Sequence, residues 1–213
     1  MSDIFQESLR RALDLAASDA PAPGGGSVSA LAACFGLSMT AMVGNLTVGK
    51  KKYLAVEAEV KELLVEVKKL SEQMEGLVQE DMDVFNRFMF ALGLPKNTAE
   101  EQGRRSIAME EALRFATETP LEIARVCLSG LSLTLGMAKI GNQTAISDAG
   151  VAALILEASL NGALLNVEAN INMLKDQTYA VKAKEESGTL SVKGLELKEE
   201  ILRVVRQKIA DGK

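Results

Sequence analysis

From Ser27 to Gly49 the chain carries no charged residue, and this stretch limits what it can fold into more than any other feature. It is rich in small residues, Ala30, Ala32, Ala33, Gly36, Ala41 and Gly44, set among Leu31, Phe35, Leu37, Met39, Met42 and Val43. A helix apolar on all its faces has to be covered on nearly every side. At ~1.5 Å per residue the stretch is long enough to span a bilayer. Ser27, Ser29, Ser38, Thr40, Asn45 and Thr47 dilute it with polar groups, however. The expectation is therefore a buried central helix packed against close neighbours or a second subunit, with no membrane.

Both ends of this helix are marked. Gly24, Gly25 and Gly26 precede Ser27, a run that can take positive φ or let another group approach the backbone closely, at the helix end that attracts anions. No strand precedes the glycines and they are contiguous, so the dinucleotide fingerprint does not apply. No Gly-Lys-Ser/Thr follows, which removes the phosphate loop of nucleotide hydrolases. At the other end Gly49 is placed to terminate the helix, and Lys50, Lys51 and Lys52 follow where cations suit the negative end of its dipole. These lysines read either as a solvated helix end or as attraction for an anionic substrate tail.

The rest of the chain is helical in pattern, with no segment of strand period and no internal repeat. A short first helix runs from Ile4 to Ala17. A third begins near Tyr53, with apolar positions at Val56, Val60, Leu63, Val67, Leu70, Met74 and Leu77 in steps of four and three, a heptad seam. The same alternation continues through 81, 84 and 88, so Asp81 occupies a position that calls for an apolar side chain. A carboxylate facing inward must be paired, hydrogen-bonded, protonated or placed in a site cavity. After Leu92 to Pro95, Thr98 and Glu101 form a capping box for a fourth helix. Thr119, Pro120 and Glu122 predict the start of a fifth, ending at Gly141 and Asn142. Ser147 and Asp148 open another apolar helix from Ala149 to about Ala183, carrying the amides Asn161, Asn166, Asn170 and Asn172. Asn166 and Asn170 are one turn apart and share a face. A break at Ser187 to Gly194 precedes an amphipathic tail helix. The fold class is all-α, one domain over 1–213, a bundle of long helices around the small-residue helix.

Composition narrows the chemistry. A net charge of −5 argues against nucleic acid as a partner. The absence of histidine leaves carboxylates, Lys, Tyr or Cys for proton transfer, with Asp81 and Asp148 the acid candidates. Without histidine or a close cysteine pair a metal site is not expected. Cys34 and Cys127 fall in apolar helical patterns and read as core residues of a reducing compartment. The N-terminus lacks the apolar core of a signal peptide, and a cytoplasmic location is expected.

Five blocks in order, APGGGS with NLTVGKKKY, DMDVFNRFMFALGLPK, EALRFATETPLEIA, GNQTAISDAGVAA and GALLNVEANINMLKDQTY, resemble the cyclodeaminase/cyclohydrolase family of folate enzymes over nearly the whole chain. The resemblance implies an all-helical homodimer joined through apolar helices, with tetrahydrofolate as the substrate carrier and no metal. It implies formimidoyltetrahydrofolate cyclodeaminase activity: N10 attacks the formimidoyl carbon on N5 and ammonia leaves, giving 5,10-methenyltetrahydrofolate. Methenyltetrahydrofolate cyclohydrolase is the close alternative. Asp81, ahead of Val84 and Phe85, matches the family's proton donor, with valine where the family often has alanine. Asn142, Ser147 and Asp148 match a block suited to the pterin ring, and Asn166 and Asn170 one suited to the ring or the tail amide. Gly24 to Ser27 and Lys50 to Lys52 suit the glutamate tail. A reading from another class is a helical adaptor that dimerises without catalysing anything.

Overall fold

The computed structural model describes residues 4–211, and among these there is no strand. Six α-helices follow in order: α1 (Leu9–Ala16), α2 (Gly25–Asn45), α3 (Glu57–Leu92), α4 (Ala99–Ile140), α5 (Ile146–Ile171) and α6 (Gln177–Asp211). Short 3₁₀ turns lie at Ile4–Gln6, Lys51–Val56 and Gln143–Ala145. Helix α2 packs against α3, α4 and α5, and α6 covers α4 and α5 from outside, so the uncharged helix lies centrally as its composition requires.

Glycines set how closely the central helices approach. A Cβ on Gly36 would lie 2.8 Å from Leu156 Cγ, and one on Gly130 2.9 Å from Leu37 Cδ2, so each leucine seats in a notch on its neighbour. Overfilling such a contact costs about 1–3 kcal/mol. Within this apolar contact the Thr134 hydroxyl donates to Gly130 O at 2.8 Å and accepts from the Thr40 hydroxyl at 2.7 Å, joining α2 to α4 through a satisfied polar pair. On α3 the seam is realised, with Val60, Val67, Met74 and Leu77 buried.

Helix α4 runs without interruption through Pro120, which overturns the expected helix start at Thr119. Proline lacks the N–H that would bond the carbonyl of residue 116, and the vacancy is filled from another helix: Asn170 Nδ2 donates to Ala116 O at 2.6 Å. Helix α5 ends at Ile171 rather than near Ala183, and α6 runs unbroken through Ser187 to Gly194, where a break was expected. Ser187 and Gly194 are small where the helix packs inward: Ser187 is buried, and a Cβ on Gly194 would touch Leu160 Cδ1 on α5 at 3.0 Å. Arg125 binds Glu118 and Glu122 within α4 and Glu186 on α6, tying the outer helix down.

Among the described residues Gly49 alone has a positive φ, 75°, but it lies four residues beyond the end of α2, in the turn that leads to the 3₁₀ segment. Lys50 to Lys52 therefore stand outside the last turn of α2 and do not serve its dipole. Three segments, Gly25–Asn45, Ala99–Ile140 and Gln143–Ile171, are long and apolar enough to cross a membrane by length and composition. About half of each apolar window, 44%, 56% and 50%, is buried inside the chain, because these segments cover one another.

Candidate functional site

The N-terminal end of α2 meets α3 and α5 around a cavity of about 220 Å³, lined by Gly24 to Ser27, Asp81, Phe85, Phe88, Ala116, Asn166 and Asn170 among others. The glycine run is needed here for proximity. None of its residues has positive φ, contrary to one sequence-based reading, and Gly24 is extended. A Cβ on Gly26 would lie 2.7 Å from Asp81 Cγ and 2.8 Å from Oδ2, and closer still to Oδ1. One on Gly25 would rest 3.4 Å from the Asn166 amide, whereas nothing lies within 4 Å of the same point on Gly24. Gly26 is thus the residue that lets the carboxylate sit against the helix end.

Two influences oppose each other at Asp81. Burial raises its pKa above the usual 3.8 and is the larger, while the Ser27 hydroxyl and backbone N–H stabilise the charge and draw it back. Ser27, itself fully buried, also accepts the Gly24 N–H through Oγ at 3.1 Å, so the helix cap and the carboxylate share one side chain. The result is a carboxyl group able to take up and return a proton nearer neutrality than a surface aspartate does.

The amides complete the polar face. Asn166 Nδ2 donates to Gly162 O at 2.9 Å and Asn170 Nδ2 to Ala116 O at 2.6 Å. A carbonyl only accepts, so it is the N–H₂ end of each side chain that is committed to the scaffold. Met82, Val84, Phe85 and Phe88 from α3, the helix that also carries Asp81, give the cavity an apolar wall. A flat ring can lie against such a wall while its polar edge faces the amides and Asp81.

The remaining candidates cluster at the other end of α2, which at 1.5 Å rise per residue is roughly 30 Å away. There Lys50, Lys52, Asn142 and Ser147 line an open cavity of about 740 Å³ together with Tyr53, Gln143 and Lys208. Lys51 and Asp148 are not part of its lining; Asp148 sits in the first turn of α5. Asn142 is committed to the scaffold: Nδ2 donates to Leu46 O at 2.7 Å, and Oδ1 accepts the Thr144 N–H at 3.0 Å. Tyr53 Oη accepts the Gln143 N–H at 2.9 Å. Lys208 has its pKa lowered, first by burial and then by Lys52, and among the described residues no carboxylate pairs with Lys50, Lys52 or Lys208. Sequence reasoning missed Tyr53 and Lys208 here, and missed Ala116 at the first cavity. Only Tyr53 had a local signal, its place beside the lysines.

Gly24 to Ser27, Asp81, Asn166 and Asn170 are thus gathered in one place, while the lysine end forms a separate cavity within one chain. Among the described residues no group of three or more His, Cys, Asp or Glu side chains is arranged to hold a metal.

A family model described as formiminotransferase-cyclodeaminase matches residues 8–189. A methenyltetrahydrofolate cyclohydrolase from Methylorubrum extorquens is 42% identical over 95% of this chain and 98% of its own length. The formimidoyltransferase-cyclodeaminase of Rattus norvegicus is 33% identical over 88% of this chain, a match that spans 35% of that larger protein. A crystal structure of formiminotetrahydrofolate cyclodeaminase from Thermotoga maritima matches with a TM-score of 0.86 at 24% identity, covering 97% of this chain and 99% of the other, a likeness of fold. The match covers both Asp81 and the glycine run, and the chain belongs to the formiminotransferase-cyclodeaminase family.

Proposed function

We propose that the chain is a folate one-carbon enzyme acting at the carbon between N5 and N10, and that its reaction is the hydrolysis of 5,10-methenyl- to 10-formyltetrahydrofolate. The observation that carries the class is Asp81: a half-buried carboxyl of raised pKa, facing a small cavity with one apolar wall and two amides. What favours hydrolysis is sequence identity: the cyclohydrolase relative is 42% identical over 98% of its length, against 33% for the formimidoyltransferase-cyclodeaminase relative.

In this mechanism the Asp81 carboxylate takes a proton from water as the oxygen bonds to the methenyl carbon. The carboxylic acid so formed hands that proton to N5 as the bond from carbon to N5 breaks, and the regenerated carboxylate takes the remaining hydroxyl proton as the formyl carbonyl forms and passes it to solvent. Asp81 acts first as base and then as acid, a sequence helped by a pKa moved toward neutrality. The second reading, cyclodeamination, uses the same group: protonated Asp81 serves the departing ammonia, and its conjugate base accepts the N10 proton. The test is incubation with each substrate, following the methenyl absorbance. Accelerated loss from 5,10-methenyltetrahydrofolate supports the hydrolase, a rise from 5-formimidoyltetrahydrofolate supports the deaminase, and no change in either removes the folate assignment.

The cavity, at about 220 Å³, is smaller than the ~300–1,000 Å³ of a typical ligand site. It accommodates the ring, and the glutamate tail must lie elsewhere. On the outward side of α2, Val28, Phe35 and Met42 are exposed at seven-residue intervals, with Phe35 midway along the helix. A cytoplasmic homodimer paired through this stripe about a two-fold axis near Phe35 would bring the lysine end of one copy beside the glycine end of the other. The tail could then reach Lys50 and Lys52 of the second copy. Sedimentation velocity on the parent and on Phe35→Glu tests this: a parent that stays monomeric at micromolar concentration removes it.

A further inference from the structure

Pro120 has a consequence for the cavity. A proline 22 residues into a 42-residue helix is unfavourable where it stands, since its ring crowds the carbonyl four residues back and offers it no donor. Here that carbonyl belongs to Ala116, which lines the cavity, and it holds the Asn170 N–H₂ at 2.6 Å. The Asn170 side chain is thereby fixed by a group on another helix, 54 residues away in sequence. Its Oδ1 has no protein partner among the described residues. Asn166, one turn earlier, is anchored the same way through Nδ2, by the carbonyl of Gly162.

We propose that Pro120 is a positioning residue: by withholding a backbone donor from Ala116 it fixes Asn170 as a hydrogen-bond acceptor, and with Asn166 makes the cavity selective for a ring edge that carries donors. The selected chemistry is an N–H-bearing edge such as that of a 2-aminopyrimidinone, and this identification rests on the folate reading above. In Pro120→Ala the restored N–H at position 120 competes for the Ala116 carbonyl. Asn170 is then free to rotate and offer its N–H₂ to a ligand that also presents donors.

The test uses Pro120→Ala, Asn170→Asp and the double variant, with two readouts. In unliganded protein, side-chain amide hydrogen exchange followed by NMR reports on Asn170 directly, and the Asn170 amide is expected to lose protection in Pro120→Ala while the melting temperature holds or rises. With 5,10-methenyltetrahydrofolate, that variant is expected to raise KM about tenfold, the size of one lost hydrogen bond, with kcat little changed. Asn170→Asp presents acceptors only, so it should impair binding beside the unpaired Ala116 carbonyl and restore it in the Pro120→Ala background. A purely structural proline gives no such reversal. Unchanged exchange and unchanged KM in Pro120→Ala overturn the proposal. A parent protein that turns over neither folate, while Pro120→Ala still releases the amide, overturns the ligand class and supports the positioning.

Discussion

At its N-terminal end α2 meets a half-buried carboxylate and two amides, with no spare room at Gly26; at its C-terminal end it meets lysines, a tyrosine and scaffold hydroxyls around an open bowl. The first end is small, tightly specified and half apolar. The second is wide, cationic and short of counter-charges. On the proposed reading the difference separates two tasks that one folate substrate imposes. Activating one water beside the methenyl carbon requires fixed geometry and exclusion of bulk solvent, which a tight cavity supplies. Holding a flexible anionic tail requires charge and tolerance, which an open cationic surface supplies.

Replacing Asp81 probes the comparison at its strongest point. Asp81→Asn keeps the shape and removes the proton carrier, and kcat/KM for the methenyl substrate should fall by about 10²–10⁴. Steady-state kinetics on refolding-competent protein checks this, and an unchanged rate would move the chemistry away from the glycine end.

Gly26→Ala should come next. The added methyl enters space held by Asp81 and must displace it, so activity should drop by about 10- to 100-fold with a stability loss of about 1–3 kcal/mol. Gly24→Ala, with open space at the same point, should leave urea denaturation within about 0.5 kcal/mol of the parent. Equal effects at the two positions would mean that the run is a flexible hinge, contrary to the packing described above.

At the opposite end, joint replacement of Lys50 and Lys52 by glutamine is expected to raise KM by about three- to tenfold for a polyglutamylated substrate and to leave kcat intact. A fall in kcat with KM unchanged would place the lysine end in the chemistry and erase the division of labour.

The smallest effect concerns stability against pH. Burial raises Asp81 above its usual 3.8, so the folded state keeps a proton that the unfolded chain has released. Asp81 therefore lowers stability progressively as pH rises from 3.8 through its raised value, and lowers it not at all below 3.8. Asp81→Asn should consequently be more stable than the parent near neutrality, with the gain vanishing in acid. Melts across that range check the sign, and a variant less stable at pH 7 would show that the carboxylate is held mainly by Ser27.

Much of this was legible in the sequence. Asp81 announced itself because a heptad seam makes one position inside or outside, and a charge inside demands a reason. The wide separation of the two ends was legible as well, since 21 residues of helix fix their distance, so a single ligand framed by both needs the second copy proposed above. What stayed hidden involves long-range partners. Pro120 read as a helix start because the group that completes its turn, Asn170, arrives from α5. Ser187 to Gly194 read as a loop because small polar residues look alike whether they face water or a neighbouring helix. Asn142 read as a ligand for substrate, while its amide is bonded to Leu46 at the end of α2.

The burial of α2 also orders events during synthesis. Its close partners on α4 and α5, Gly130 and Leu156, lie more than 90 residues further along the chain. As the chain emerges N-terminus first, a helix without a single charge has only α3 as early cover and must wait for α4 and α5 to complete it. The nascent protein thus spends that interval with its most apolar segment only partly covered, and its yield in a cell should depend on chaperone supply more than its finished stability would suggest.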